Sequence, residues 1–486
     1  MKRTLSLLLV CIMALSMLAS CAQEEGGSDA TDTPGETVAT EEIGTTEFQE
    51  VLPERDFEGY TFNILNYDPT VLTWLVTELT AEEENGETIN DAIFARNSKI
   101  EEKFNVKINE TRVNSSGNVE TQAKKLIAAG AEDFDLYMTV LENTMALATQ
   151  GLLVDYNTIP YINLDAPYWD QDLKRDLSYN NKIFLMDGDF DLTHYSAVIA
   201  LFFNKQIAKD YNLDDPYQLV NEGKWTMDAF YNMAKDVTKD IDGNGKWTHE
   251  DLYGYMSLNF LIVPTWLEAA GERVISKDAD GKAILSVNTG RFGDVFTKMV
   301  DICYSGNLLY DADAKGDHRK QDIMFPGNKT LFWNELVQWS KILREMDSDF
   351  GILPNPKFDE AQESYHSYVQ NPQVMAVPTT TADLERTGIL LEALCAESRR
   401  VVVPAYYESM LKTKIARDND SQTMLDIMFG NRRYDLGFTL WRKETGEVLI
   451  NMFKKQDTGI ASFLEKQSDK LNAAIAKTDD AFAALG

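Results

Sequence analysis

Apolar residues largely alternate with polar ones through "YTFNILNY", Tyr60 to Tyr67, the period of two that a strand imposes, and the run stops at the polar turn Asp68-Pro69. Beyond it, Ile89, Ala92, Ile93, Arg96 and Ile100 recur at helical spacing, and Val106 and Ile108 return to alternation. A second helix over roughly Val119 to Ala129 leads into the strand "FDLYMTV" at 134–140, and "GLLVDY" follows another short helical piece. Strands alternating with helices predict a mostly parallel sheet covered on both faces.

The pattern restarts in "KIFLMDGDFDLTHYSAVIALFFNK", where apolar stretches bracket the turn Asp187-Gly188-Asp189, so a second α/β body is expected from there. "KTLFWNEL" and "FGILPNP" read as strand ends opening into loops, and "YHSYVQNPQVMAVP" crosses back into another strand. No repeat of solenoid length is present.

The 486 residues, 44% hydrophobic, suffice for two substantial cores. A net charge of -32 argues against nucleic acid, because phosphate binding needs clustered Lys and Arg. Residues 1–20 read as a signal peptide: Lys2 and Arg3 precede an apolar run too short to span a membrane. Its end, Leu18-Ala19-Ser20-Cys21, resembles the bacterial lipobox, which implies cleavage before Cys21 and lipid on that cysteine. From Cys21 to about Glu50 the chain carries nine acids and no base, the composition of a disordered, self-repelling tether between membrane and folded body. A tethered protein of this kind handles something outside the cell, as receptor, adhesin or enzyme. Cys303 and Cys395 are too few for a disulfide framework.

One stretch, "DIDGNGKWTHED", has the spacing of a calcium loop. Asp240, Asp242, Asn244 and Asp251 stand at positions one, three, five and twelve, Lys246 offers its carbonyl at seven, and Gly245 takes the sharp turn at six. Before it, Phe230, Met233, Ala234 and Val237 share a helical face; after it, "LYGYM" reads as a strand. A helix-loop-strand clip results, in which one structural Ca2+ pins a long connection.

Taken together, the lipobox, "SAVIALFFNKQIA", "GKWTMDAFYNMAKDV", "FGILPNPKFD", "VMAVP" and "PAYYESMLKTKIARD" resemble the extracellular solute-binding lipoproteins of ABC importers, of the maltose-binding type (family 1). The resemblance implies a two-lobed periplasmic-binding-protein-like α/β fold, with lobe 1 at 51–189 and 371–412, lobe 2 at 190–370 and 413–486, and hinge segments between. It implies a solute, most plainly an oligosaccharide, held between the lobes, and membrane permease subunits as partners of a monomer.

Sugar recognition needs flat aromatic faces ringed by carboxylates and amides. By position at strand ends the candidates are Tyr67, Asp68, Glu142, Asn143, Asp189, His194, Tyr195, Trp266, Trp333, Asn334, Glu335, Tyr365 and Tyr368. "LFWNEL" resembles a family strand end that supplies a stacking tryptophan, whereas Trp225, Trp247 and Trp441 are assigned to packing. No metalloprotease, nucleophile-elbow or phosphate-loop motif is present, and His194, His249, His318 and His366 are scattered. The chain reads as a non-enzyme; a surface glycoside hydrolase and a peptide receptor on the same fold stand as alternatives.

Overall fold

A computed structural model describes residues 49–114, 118–316, 318–411 and 419–484. The signal segment, Cys21 and all but the last two residues of the expected tether lie outside them; at its end, Glu50 pairs with Arg400. Among the described residues no helix is long and apolar enough to cross a membrane.

Nine strands form two main sheets: β1 (Tyr60–Tyr67), β2 (Val106–Val113), β3 (Leu136–Val140), β4 (Ile199–Asn204), β5 (Tyr253–Ser257), β6 (Leu309–Asp311), β7 (Thr330–Leu336), β8 (Phe350–Leu353) and β9 (Gln373–Ala376). The first sheet has the order β9-β3-β1-β2, the second β8-β4-β7-β5-β6. β1 pairs in parallel with β2 and β3, while β9 alone runs antiparallel, Gln373 opposite Val140. In the second sheet β5 is parallel to β6 and β7, and β4 alone is reversed, Ile199 opposite Leu336. The helix Thr88–Phe104 buries Ile93, Ile100 and Phe104 and packs along Leu384–Leu411. On the second sheet, Met227–Val237 buries the expected Phe230, Met233, Ala234 and Val237 against β5.

The two reversed strands have one cause. Each is the first strand that the chain contributes after leaving the other sheet, and each starts beside the carboxyl end of its neighbour. The crossovers therefore lie at the carboxyl ends of both sheets, side by side: the Gln370 N–H donates to the Ala197 carbonyl at 3.0 Å, and Val198 bridges Val369. Gly188 is needed on the first crossover because a Cβ there would come within 2.7 Å of the Tyr168 carbonyl and 3.2 Å of the Cys395 sulfur. Cys395 and Cys303 are both buried free thiols.

Buried charge is concentrated beside this crossing. The His194 nitrogens lie 3.4 Å from Asp187 and 3.5 Å from Asp189; Asp189 also meets Arg399 at 3.4 Å and accepts from the Tyr195 hydroxyl at 2.8 Å. Arg432 lies 3.3 Å from Asp170. Asp189, His194 and Tyr195, expected to face a ligand, are instead buried here, because the first crossover folds back on the helix carrying Arg399.

Burial, the largest single influence, would lower the His194 imidazole, but the Asp187 and Asp189 carboxylates together outweigh it and raise the group to about 9. The folded state thus holds this proton more tightly than the unfolded chain, where histidine titrates near 6.5. The resulting stabilisation is complete below pH 6.5 and is lost as pH rises through about 9. The melting-temperature gap between the protein and His194→Gln should therefore narrow across that window. A gap that stays constant with pH shows that the imidazole is uncharged in the folded state.

Candidate functional site

At the carboxyl ends of β5 and β7, where the second crossover passes, lies a cavity of about 480 Å³. Trp74 enters it from the loop after β1, Phe260 from the segment after β5, Trp339 from beyond β7, and Gln370 and Asn371 from the crossover. Asn371 is fixed by the first sheet, since its side-chain oxygen accepts from the Glu142 N–H at 3.0 Å. Open α/β sheets place their ligand crevices at such strand ends.

The cavity's wall is the 3₁₀ helix Val337–Glu345, held to the first crossover by the Val337 N–H on the Val198 carbonyl at 2.8 Å. Its period of three superposes Leu336 and Trp339 on one face and Gln338, Lys341 and Arg344 on another. The first face lines this cavity; the second lines a larger one of about 720 Å³ with Glu78, Glu110 and Arg112. The larger cavity is the poorer candidate. Glu110 is already engaged by Asn66, Thr80 and Arg112, and Tyr406, its aromatic residue, is only 2% exposed. Trp74, by contrast, is 39% exposed.

Glu335 forms part of the smaller cavity's floor, with Gln321 and Asp322 beside it. Burial, reinforced by the Asp322 carboxylate, pushes Glu335 up to about 8 against the opposing bond from the Leu336 N–H at 3.0 Å. The carboxyl is therefore largely protonated at neutral pH, and the site offers it as a hydrogen-bond donor. His318 reaches the same cavity and is held 2.8 Å from Asp313.

Residues 80–386 match the family described as bacterial extracellular solute-binding protein. The chain belongs to that family. No curated protein sequence matches it. Among solved structures with its fold, an ABC substrate-binding protein from Listeria monocytogenes in complex with cycloalternan is similar with a TM-score of 0.55 at 12% identity, over 86% of this chain and 99% of that one. A cyclo/maltodextrin-binding protein complexed with maltotetraose gives 0.56 at 14%, over 86% and 96%. A Rhizobium etli sugar transporter in an open conformation gives 0.55 at 11%, over 88% and 100%. The fold is the two-lobed α/β arrangement of these binding proteins.

Of the residues expected at the solute site, Glu335 is the one that lines the cavity. Trp333 is a correction: its ring is wholly buried between Phe202 and Phe325, and its indole N–H donates to Gln321 at 3.0 Å. Asn334, on the opposite face of β7, is consumed in tying Ala200 and Asn355 together. Trp266 packs edge-on against Phe230 and donates to the Tyr255 hydroxyl at 3.1 Å. Tyr67 is buried at the end of β1, and Asp68 closes the turn with Thr70. Tyr365 donates to the Val220 carbonyl at 3.3 Å, and Tyr368 packs on Phe438. Glu142 pairs with Arg442, and Asn143 is half-buried next to it in the chain. Of the tryptophans assigned to packing, Trp225 and Trp441 are buried and Trp247 stacks edge-on against Tyr253. Trp74, Phe260, Trp339, Gln370 and Asn371 were missed. Trp74 and Trp339 sit outside any two- or 3.6-residue period, which was the available cue.

The expected calcium loop is closed by the Lys239–Leu252 bridge, between the helix Met227–Val237 and β5. Asp240, Asp242 and Asp251 each bring a carboxylate oxygen within 4.8 Å of the others. Backbone N–H groups orient them: Gly245 and Gly243 donate to Asp240 at 2.7 and 2.8 Å, and Ile241 and Thr248 to Asp251 at 2.9 and 2.8 Å. Asn244 takes the Lys246 N–H at 2.6 Å, and Gly245 has φ +76°. The donor set is the hard-oxygen type that calcium prefers.

Core and cavity tryptophans should separate cleanly. Trp333→Ala is expected to lower stability by about 3 to 5 kcal/mol. Trp339→Ala and Trp74→Ala should melt near the parent but lose on the order of tenfold or more in affinity for any solute that stabilises the parent, since central aromatic anchors contribute a few kcal/mol. Thermal melting and calorimetric titration measure the two effects; unaltered affinity in both cavity variants moves the site elsewhere.

Proposed function

We propose that this solute-binding protein captures an oligosaccharide between its lobes outside the cell and delivers it to the permease subunits of an ABC importer. The observation that carries this reading is the cavity at the strand ends, where Trp74 and Trp339 offer indole surface to sugar C–H faces and Glu335, Gln370 and Asn371 offer polar groups to hydroxyls. The similar structures bound to cycloalternan and maltotetraose support the solute class. Lipid on Cys21 would hold the protein, as a monomer, to the outer face of the membrane. The lobes would be 51–189 with 371–412 and 190–370 with 413–486, in keeping with the strand membership of the two sheets.

A thermal-shift screen of the mature chain against oligosaccharides and peptides tests this, because a ligand of the folded state alone raises its stability. An oligosaccharide should shift the melting point and be recovered intact. Steady release of shorter sugars would favour a hydrolase built on Glu335 and Asp322, and a response to peptides alone would favour a peptide receptor.

For the loop at 240–251 we propose one structural Ca2+, supported by the convergent carboxylates and the positive-φ glycine. Asp240, Asp242, Asn244 and Asp251 would hold it, with the Lys246 carbonyl. Chelation should lower the melting temperature, and Asp242→Ala should abolish that dependence, while solute affinity measured well below melting stays the same. Melting insensitive to chelation, with no calcium in native mass spectra, reduces the loop to a turn.

A further inference from the structure

The helix Leu141–Ala148 follows β3 without a cap of its own, because the residue before it, Val140, has no side-chain acceptor. The first N–H groups of any helix need partners from outside it, and here two of them find theirs on the second crossover. The Leu141 N–H donates to the Pro372 carbonyl at 2.9 Å, and the Glu142 N–H donates to the Asn371 side-chain oxygen at 3.0 Å. The backbone at residue 371 has φ +43°, in the left-handed region that asparagine tolerates better than most residues with a Cβ. Asn371 thus caps, from a distant part of the chain, a helix that starts at the carboxyl end of β3.

The cap also decides which way its amide faces. An N–H can donate only to the oxygen, so the nitrogen is the end left over. Asn371 lines the cavity, and among the described residues no group accepts from its amide nitrogen. Other polar side chains of the lining have a different origin: Gln321 and Asp322 stand on the helix Gln321–Met324 and Glu335 on β7, in the part of the chain that builds the second sheet.

We propose that Asn371 determines specificity in the cavity: its amide nitrogen donates to an acceptor oxygen of the solute, while its amide oxygen, held by the helix Leu141–Ala148, links the occupied cavity to the first sheet. The inference rests on reading the cavity as an oligosaccharide site, and it adds the polarity of one contact and the element that senses it. Two consequences separate this role from that of a purely structural cap. The contact takes a sugar hydroxyl or ring oxygen as acceptor, so an anion in place of the amide would face the solute with no proton to give. A solute that holds Asn371 still also holds the acceptor of the Glu142 N–H, so the first turn of the helix opens less often.

Asn371→Asp tests the first consequence, because it keeps the size of the side chain and an acceptor for the Glu142 N–H and removes the donor. A carboxylate is favourable at a helix N-terminus, so this variant should melt at or above the parent. Its calorimetric affinity for whichever of maltotetraose, cellotetraose and mannotetraose shifts the parent's melting should nevertheless fall on the order of tenfold or more. Asn371→Gly accepts the same backbone conformation but lacks both amide groups, and should lose melting temperature and affinity together. Hydrogen exchange read by mass spectrometry tests the second consequence: the sugar should slow exchange in peptides covering Leu141–Ala148 of the parent, and not in Asn371→Gly titrated to the same occupancy. If Asn371→Asp does not fold, this exchange comparison decides. Parent affinity in Asn371→Asp, no slowing in the parent, or equal slowing in Asn371→Gly overturns the inference and leaves the oligosaccharide reading standing. If none of the three sugars shifts the parent's melting, both fall.

Discussion

Everything about the site follows from where the chain crosses between its two sheets. A polypeptide leaving the carboxyl end of one parallel sheet and entering the next at the same level must run the new strand backwards, which is why β4 and β9 are the reversed members. The two crossings then lie side by side, bonded through Ala197 and Gln370, at the level where strand ends leave crevices. Crossover and cavity share residues: Gln370 and Asn371 belong to both. A rotation of one sheet relative to the other about these few residues would change the cavity first, which is the mechanics that the proposed solute capture needs.

The buried charges beside the crossing have a different logic from those in the cavity. Asp187, Asp189 and His194 face one another, with Arg399 and Arg432 completing the group, so each ion has a partner and the cluster fixes how the chain passes. Breaking one member would leave an uncompensated ion, a large cost in a dry interior. Glu335 has no such partner among the described residues and remains protonated instead.

Much of the architecture was legible in the pattern. β1 occupies the residues read as a strand, 60–67, and the loop at 240–251 joins a helix to a strand as its spacing implied. The cavity was harder to see because β7 is buried along its entire length, so alternation distinguishes its two faces but not the end that opens. Trp333 was expected as a platform and is core; the indole that lines the cavity, Trp339, comes three residues after Leu336 in a 3₁₀ turn whose period does not match a strand or an α-helix. Trp74 depends on a long-range bond, from the Lys341 ammonium to the Thr73 carbonyl at 3.1 Å, that no local pattern encodes. Glu335, expected together with Trp333 and Asn334 from their place at a strand end, is the member of that trio that lines the cavity.

The distribution of indoles also gives the molecule a built-in optical probe. Of its eight tryptophans, Trp169, Trp225, Trp266, Trp333 and Trp441 are at most 3% exposed, whereas Trp74 is 39% exposed at the cavity mouth and Trp339 lines its wall. Buried indoles emit at short wavelength whatever happens in the cleft, so the red edge of the fluorescence spectrum belongs largely to Trp74 and Trp339 at the cavity and to Trp247, half-buried in the loop at 240–251. Light absorbed by the whole set therefore reports, at that edge, on two small volumes, the cavity and the loop at 240–251.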